Sequence, residues 1–127
     1  MIVGIGVDLV DLERIRRMIE RYEDRFLDRI LTAGEKAYCA RHRDRTPPVA
    51  ARFAAKEAVL KALGTGLDHG IRWCDVEVVR GTSGPPRIEL HAAAAAHAKG
   101  MSIDHVHISL THDRGAAVAM VVLERQS

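Results

Sequence analysis

The chain opens with a run of apolar residues that predicts a strand. Positions 2 to 7 are all apolar or glycine, and β-branched residues dominate among them. A short run of this kind is typical of a buried strand. Asp8 closes the run. We therefore expect Asp8 to lie at the end of a buried first strand, where the chain leaves the core.

A helical pattern follows over Asp11–Tyr22. Apolar side chains recur there at three- and four-residue steps, which predicts an amphipathic helix with an arginine-rich polar face. These apolar positions are Leu12, Ile15, Met18 and Ile19. Residues 26–31 continue as a short apolar turn, and Thr32–Glu35 matches the capping box that begins a helix. We expect that helix to run to about Arg43.

The longest predicted helix lies in the middle of the chain. Pro47 and Pro48 can begin it, because the N–H that proline lacks has no helical partner in the first turn. The helix then covers Val49–Leu63 and is rich in alanine, so its helix propensity is high and one side is nearly flat. Gly64 supplies a left-handed C-terminal cap, and a flexible loop follows through Gly66.

The rest of the chain alternates between hairpins and one helix. The predicted segments are strands at 76–79 and 87–90 joined by a turn at 81–86, a helix at 91–99 closed by Gly100, and strands at 105–111 and 116–123 joined by a turn at 112–115. The order of strand, helices, hairpin, helix and hairpin favours an α+β fold with a small antiparallel sheet. No long linker divides the chain, so we expect residues 1–127 to form a single domain.

Composition and charge narrow the classes of function. The net charge of +2 is too small to gather nucleic acid. No leader peptide or long apolar run is present, so we expect a cytoplasmic protein that binds neither nucleic acid nor membrane. The two cysteines, Cys39 and Cys74, are far apart and predict buried thiols. Only 4% of residues are aromatic, which indicates a thin core that oligomerisation would help to stabilise.

The densest polar cluster lies inside the alanine-rich helix, at Lys56, Glu57 and Lys61. Glu57 and Lys61 share a helix face, and an ordinary surface ion pair would explain them. However, charges on a closely packed helix are usually paired or catalytic. A carboxylate at a strand end beside one on a packed helix suits Mg²⁺. Asp8 and Glu57 are therefore candidate ligands, and a helix cap remains the alternative for Asp8.

Three histidines lie on or after one predicted strand, at His105, His107 and His112. Alternate residues of a strand share a face, so a Zn²⁺ site is conceivable. No cysteine or H-E-x-x-H helix accompanies them, which argues against zinc. His112, in the turn after the strand, is the better candidate for a contact to phosphate or adenine.

Two segments carry a family resemblance. They are Gly-Ile-Gly-Val-Asp-Leu-Val-Asp-Leu-Glu-Arg-Ile at 4–15 and Arg-Phe-Ala-Ala-Lys-Glu-Ala-Val-Leu-Lys-Ala-Leu-Gly-Thr-Gly at 52–66, with shorter matches at 29–32, 84–88 and 106–112. Together they resemble the holo-[acyl-carrier-protein] synthase family, the short, single-domain phosphopantetheinyl transferases of bacteria. The resemblance implies that coenzyme A donates phosphopantetheine to a serine of apo acyl carrier protein and that adenosine 3',5'-bisphosphate is released.

The resemblance also implies roles for individual residues. Asp8 and Glu57 would hold Mg²⁺, Lys61 would contact the diphosphate, and Glu57 or a metal-bound water would accept the serine proton. Further cofactor-binding residues implied in this way are Phe53, Lys56, Gly64, Gly66, Pro86, Thr111 and His112. The implied docking face for the acidic carrier protein comprises Arg14, Met18, Arg21, Arg25, Phe26 and Arg29. The family forms homotrimers with active sites between subunits, so we expect a trimer here.

Two rival hypotheses belong to other classes. A non-catalytic module whose arginine-rich helix binds an acidic protein or RNA predicts no dependence on Mg²⁺ and no effect of Glu57→Ala. A zinc hydrolase that uses the histidines predicts inhibition by chelators, relieved by Zn²⁺ but not by Mg²⁺.

Overall fold

The computed structural model describes residues 1–81 and 83–126. Within these ranges the chain forms five strands and five α-helices. In chain order they are β1 (Ile2–Asp11), α1 (Leu12–Tyr22), α2 (Asp24–Ile30), α3 (Ala33–Ala40), α4 (Thr46–Leu63), β2 (Val76–Val79), β3 (Arg87–Leu90), α5 (Ala92–Gly100), β4 (His105–Asp113) and β5 (Ala116–Glu124). A short 3₁₀ turn at Trp73–Asp75 precedes β2. Thr82, which belongs to the predicted turn at 81–86, lies outside the described residues.

The strands form two antiparallel sheets. One has the order β1-β5-β4, and the other is the β2-β3 hairpin. Helix α4 packs against β1 and β5 of the larger sheet and also contacts β2. The predicted α+β class with antiparallel strands is therefore confirmed. None of the described helices is long and apolar enough to cross a membrane.

Two glycines of β1 allow the strand to lie directly on the backbone of α4. A Cβ atom added to Gly6 would lie 1.9 Å from the carbonyl oxygen of Ala58, and one added to Gly4 would lie 2.3 Å from that of Ala62. No real Cβ tolerates such contacts, so only glycine fits at either position. This close approach decides which side chains of β1 meet those of α4.

Strand β1 differs from the prediction in its end and in its burial. It continues beyond Asp8 to Asp11, paired with β5 up to that point, so Asp8 lies within the strand. It is also not buried on both faces: Leu9 is 68% exposed, and Ile5 and Val7 on the same face are exposed as well. The outer face of β1 is apolar but has no covering element within the described chain. A short apolar run in a sequence does not show whether both faces of its strand are buried.

The helices before α4 follow local signals with two exceptions. Asp11, rather than Asp8, caps α1 by accepting a hydrogen bond from the backbone N–H of Glu13. The capping box of α3 forms as predicted. Residues 26–31, predicted as a turn, mostly belong to α2, because positions 26, 27 and 30 bury their side chains on one helix face. Helix α3 ends at Ala40 rather than Arg43, since the exposed polar run that follows has no apolar side chain to bury.

The remaining boundaries agree closely with the sequence. Helix α4 has both predicted prolines in its first turn and ends at Gly64, whose φ of 76° is the expected left-handed cap. The turn between β4 and β5 is shorter than predicted, because only Arg114 and Gly115 form it, with φ of 51° and 79°. Thr111 and His112 therefore both lie within β4.

Candidate active site

The contact between β1 and α4 brings Asp8 and Glu57 together. Asp8 follows Gly6 on the helix-facing side of the strand, and its side chain is only 10% exposed. Glu57 immediately precedes Ala58, the residue against which Gly6 packs. The two carboxyl groups lie within hydrogen-bonding reach of each other and interact as like charges. The structure thus places the two predicted metal ligands side by side.

Their proximity changes the acidity of Glu57. Partial burial raises the pKa of this carboxyl group, and the charge of Asp8 and a hydrogen bond to it raise the pKa further. The nearby cations Lys61 and Arg14 act in the opposite direction without cancelling the effect. Two carboxylates that share one site under these conditions carry excess negative charge, which favours a bound cation or a retained proton.

Lys61 bonds to Asp8 rather than to Glu57. Its ammonium donates to Asp8 Oδ1 at 2.8 Å and to the carbonyl oxygen of Val7 at 3.2 Å. The hydrogen bond to Asp8 is the main reason that the pKa of Lys61 is raised. The Lys61 side chain is still 55% exposed, so it stays accessible to a ligand while charged.

A largely apolar cavity of about 260 Å³ opens beside this group. Its lining residues are Glu57, Leu60, Lys61, Gly64, Gly66, Leu67 and Trp73. The structure thereby brings together four predicted site residues, Glu57, Lys61, Gly64 and Gly66. Phe53 does not line this cavity but supports its wall, with its ring centroid 5.0 Å from that of Trp73. Sequence reasoning missed Trp73, for which the only signal was that it is the single tryptophan of the chain.

Lys56 lies away from this cavity, contrary to the prediction that it lines the site. Its side chain is 0% exposed, and its ammonium bonds to Glu35 Oε1 at 2.7 Å, to the carbonyl oxygen of Trp73 at 3.1 Å and to that of Val76. These three acceptors match the three N–H donors of an ammonium group. The physical reason is helical geometry: consecutive residues point about 100° apart, so Lys56 and Glu57 face different surroundings.

Thr111 and His112 lie at a different cavity, of about 360 Å³. Its walls are formed by Tyr38, His42, Asp44, Pro47, Pro48, Ala51, Arg52, Arg80, Leu110, Thr111 and His112. Pro86, half-buried, lies at the β3 end of the connection that begins near Arg80. This second cavity has the basic side chains that an anionic ligand requires.

Arg52 is a candidate residue at the second cavity that sequence reasoning did not single out. It is 4% exposed, its guanidinium lies 4.1 Å from the ring centroid of Tyr38, and one terminal nitrogen donates to the carbonyl oxygen of Pro48. Its buried Nε has no hydrogen-bond partner among the described residues. A buried donor without a partner is costly, which points to a ligand at this position. In the sequence, Arg52 could have been singled out because it is a charged residue within the alanine-rich helix.

The three histidines do not form one site. His105 and His107 share the outer face of β4, with ring centroids 5.9 Å apart, and His107 bonds to Glu124 at 2.9 Å. His112 has the opposite parity along the strand and lines the second cavity. The separation of His112 from the other two removes the basis for the predicted alternative of a three-histidine zinc site.

Comparisons with known proteins show which family the chain belongs to. A family model described as the 4'-phosphopantetheinyl transferase superfamily matches residues 4–121. The chain belongs to this superfamily. It is 48% identical to the holo-[acyl-carrier-protein] synthase of Solibacter usitatus, over 98% of this chain and 99% of that protein.

Solved structures of the superfamily share the whole architecture. The crystal structure of holo-[acyl-carrier-protein] synthase from Neisseria meningitidis has a TM-score of 0.91 at 32% identity, over 98% of this chain and 100% of that one. The synthase from Helicobacter pylori, solved in complex with coenzyme A, has a TM-score of 0.83 at 31% identity, over 94% of this chain and 99% of that one. The whole described fold is thus that of a phosphopantetheinyl transferase.

A second group of possible metal ligands in this phosphopantetheinyl transferase is already satisfied internally. Ligand atoms of Glu77, Glu89 and His91 lie within 4.8 Å of one another. Burial raises the pKa of Glu77, but hydrogen bonds from Thr32 and His91 outweigh burial and leave the pKa below its usual value. The charge of Glu77 is thus compensated without an ion, whereas that of Glu57 is not.

The arginine-rich surface of the transferase surrounds a shallow groove of about 360 Å³ on α1 and α2. Met18, Tyr22, Arg25, Phe26 and Arg29 line it, so the structure brings together four of the six predicted docking residues. The guanidinium of Arg21 lies over the ring of Tyr22, 5.3 Å from its centroid. Arg14, one turn before Met18, lies 5.9 Å from the ring centroid of Phe53. Arg14 is close enough to Glu57 to lower the pKa of its carboxyl group, against the raising effects of burial and Asp8.

Proposed function

We propose that this protein is a holo-[acyl-carrier-protein] synthase. It transfers the 4'-phosphopantetheine group of coenzyme A to a serine hydroxyl of apo acyl carrier protein and releases adenosine 3',5'-bisphosphate. The observation that carries the proposal is the convergence of Asp8, Glu57 and Lys61 at the mouth of an apolar cavity. Because the nucleophile belongs to the carrier protein, this chain needs only to bind, orient and move a proton.

Asp8 and Glu57 would hold Mg²⁺. Their fit to the ion follows from the excess negative charge of the pair, which raises the pKa of Glu57, and from the preference of Mg²⁺ for one or two carboxylates with phosphates and waters. When bound, Mg²⁺ supplies charge stabilisation for the diphosphate as the bond to the leaving phosphate breaks.

The residues around this pair have separate tasks in the transfer. Lys61, exposed and charged, exchanges its hydrogen bond with Asp8 for one to the diphosphate and stabilises the leaving group. Glu57 accepts the proton of the serine hydroxyl, directly or through a water molecule.

The two cavities divide coenzyme A between them. The apolar cavity with Trp73 suits the pantetheine arm, and Gly64 and Gly66 leave room for it there. The cavity with Arg52 and His112 suits the ribose phosphate, because the unpartnered Nε of Arg52 requires an acceptor. Arg80 lines the same cavity, which supports a role in adenosine binding for the residues near it, Pro86 included.

The active protein is a trimer, and one coenzyme A spans two copies. Arg52 and Glu57 are five residues apart on α4 and therefore point about 140° apart, so the two cavities open in different directions. A second copy would bring its phosphate cavity to the first copy's carboxylates. The exposed apolar face of β1, continued on β5 by Met120, supplies a surface for such assembly.

The acidic carrier protein binds the groove on α1 and α2. Arg21, Arg25 and Arg29 present positive charge beside the apolar floor formed by Met18 and Phe26. Complementary charge raises the association rate and weakens with salt. Since the serine must reach Glu57, the position of Arg14 between this groove and the carboxylates suits the docking of a protein substrate. The reaction takes place in the cytoplasm, where carrier proteins of fatty acid biosynthesis reside.

Mass spectrometry tests the proposal directly. Apo acyl carrier protein incubated with the enzyme, coenzyme A and Mg²⁺ should gain the mass of phosphopantetheine, and the gain should disappear with chelator or with Asp8→Ala or Glu57→Ala. The folds of both variants should stay intact, because neither side chain is part of the apolar core and losing either one relieves the like-charge repulsion of the pair. Glu20→Ala, on the exposed face of α1, serves as the matched control. Near-normal transfer by both site variants would exclude the proposal, and no transfer by the wild type would favour a non-catalytic module.

A further inference from the structure

For the carboxylates of Asp8 and Glu57 to meet, helix α4 must adopt one rotation about its own axis. The amino-acid composition of the helix does little to select that rotation. Of its 18 residues, 15 are buried. The others are Pro47, Glu57 and Lys61. A helix that is buried nearly all around exposes only a narrow polar strip, here Glu57 and Lys61, and such a strip does little to fix its rotation. Glu57 nevertheless has to face Asp8 on β1.

The helix is held from two opposite sides. On one side Ala58 and Ala62 lie against the glycines of β1. Lys56 precedes Ala58 by two residues, so it points about 160° away around the helix axis, toward Glu35 and β2. Glu57 lies between these two directions. Its orientation is therefore bounded by the strand contact on one side and by the Lys56 ammonium on the other.

The partner of Lys56 is itself rigid. Glu35 Oε1 accepts from the N–H of Thr32 at 2.9 Å, and Glu35 Oε2 accepts from the N–H of Val78 at 2.9 Å. Both oxygens of Glu35 are thus committed to the start of α3 and to β2 while Oε1 also receives Lys56. Since every group in this buried network is satisfied, it specifies one arrangement of α3, α4 and β2.

Lys56 also holds the backbone of one residue that lines the apolar cavity. It donates to the carbonyl oxygen of Trp73, whose ring packs on Phe53 and lines the cavity beside Glu57. One buried ammonium therefore contacts the backbone of the cavity wall and lies next in sequence to the proposed base.

We infer that Lys56 is a positioning residue of the transferase: its buried ammonium fixes the rotation of α4, so that Glu57 meets Asp8, and fixes the Trp73 wall of the cavity. The inference rests on the proposed function for its catalytic consequence. Lys56 contacts neither reacting atoms nor the cavity itself, so it acts through Glu57 and Trp73.

The test compares a variant without the network with an equally destabilised control. Lys56→Met/Glu35→Gln removes the ammonium together with the carboxylate charge that it pairs, and the glutamine keeps one acceptor oxygen for one of the two backbone N–H groups that donate to Glu35. Ile19→Ala, in the core between α1 and the residues that follow α3, is the control for lost stability. Both are assayed below their melting temperatures. If the double variant does not fold, Lys56→Gln, whose amide keeps two N–H donors, is judged by the same criteria.

The double variant should lose at least about tenfold in kcat while the KM for carrier protein changes by less than about twofold, because the α1 and α2 groove does not depend on Lys56. The fluorescence of Trp73, the only tryptophan, should shift to longer wavelength, and stabilisation of the protein by Mg²⁺ should be lost. Ile19→Ala should keep its kcat, its emission spectrum and its Mg²⁺ response.

Two results would overturn the inference. One is a folded double variant with wild-type kcat, emission and Mg²⁺ response, and the other is an equal loss of kcat in Ile19→Ala. The fluorescence and Mg²⁺ measurements do not require turnover. A wild-type protein that transfers nothing would therefore refute the proposed function while these two readouts still decide the role of Lys56.

Discussion

Replacing Glu57 by glutamine should make the metal-free protein more stable while it abolishes transfer. The pKa of Glu57 is raised by burial and by Asp8, so ionising this carboxyl group is harder in the folded chain than in the unfolded chain. An acid of this kind lowers the free energy of unfolding as the pH rises through its titration range. Glutamine keeps the size of the side chain and removes the charge.

The magnitude follows from the like charges. Two unit charges about 4 Å apart repel by about 1 kcal/mol in bulk water and about 4 kcal/mol at an effective dielectric constant near 20. Glu57 is only partly buried, and the ammonium of Lys61 on Asp8 offsets part of the repulsion. We therefore expect the lower limit to apply, with a gain of about 1 kcal/mol, or roughly 3–5 °C in melting temperature for a chain of this size.

Thermal unfolding followed by circular dichroism, in chelator and at fixed protein concentration, measures this gain. It should be largest at neutral pH and should vanish as the pH falls below 4.5, the ordinary value for glutamate, where the carboxyl group is protonated in both states. Added Mg²⁺ should stabilise the wild type more than Glu57→Gln, and Glu20→Gln should change neither quantity. A variant that melts at or below the wild-type temperature in chelator at neutral pH would refute this account of the site.

Three further changes test other parts of the structure. Gly6→Ala should lower the free energy of unfolding by about 3 kcal/mol or more, because its Cβ would lie 1.9 Å from a carbonyl oxygen of α4. Gly100→Ala, with nothing within 4 Å of the added Cβ, should be neutral or stabilising. Equal denaturant midpoints for the two variants would contradict the close contact at Gly6. Arg21→Glu should raise the KM for carrier protein and flatten the salt dependence of that KM, without changing the KM for coenzyme A. Lys99→Glu, on α5, should leave both KM values unchanged. An unchanged salt dependence of Arg21→Glu in steady-state assays would show that α1 is not part of the docking surface. Arg52→Met should raise the Kd for adenosine 3',5'-bisphosphate, measured by calorimetry, more than tenfold, which is roughly the loss of one charge-assisted hydrogen bond. If the variant and the wild type bound this ligand equally well, the phosphate would have to bind at another site.

The sequence determined the features that depend on neighbours along the chain. The capping box at Thr32, the prolines that begin α4 and the left-handed cap at Gly64 all use hydrogen bonds or dihedral angles within a few residues. Helical periodicity gave α1 correctly, and the family motifs named Asp8 and Glu57 as partners. Such signals are local or belong to a family motif, so the sequence alone is enough to recognise them.

Tertiary structure alone decided which of two adjacent charged residues faces the site. Lys56 and Glu57 look alike in the motif, but a rotation of about 100° sends one to a buried carboxylate and the other to a cavity. Likewise, the exposure of one face of β1 depends on the absence of a covering element within the described chain. Burial is a property of the whole packed molecule, because a side chain meets partners such as Glu35 that are distant in sequence, and no local pattern encodes them.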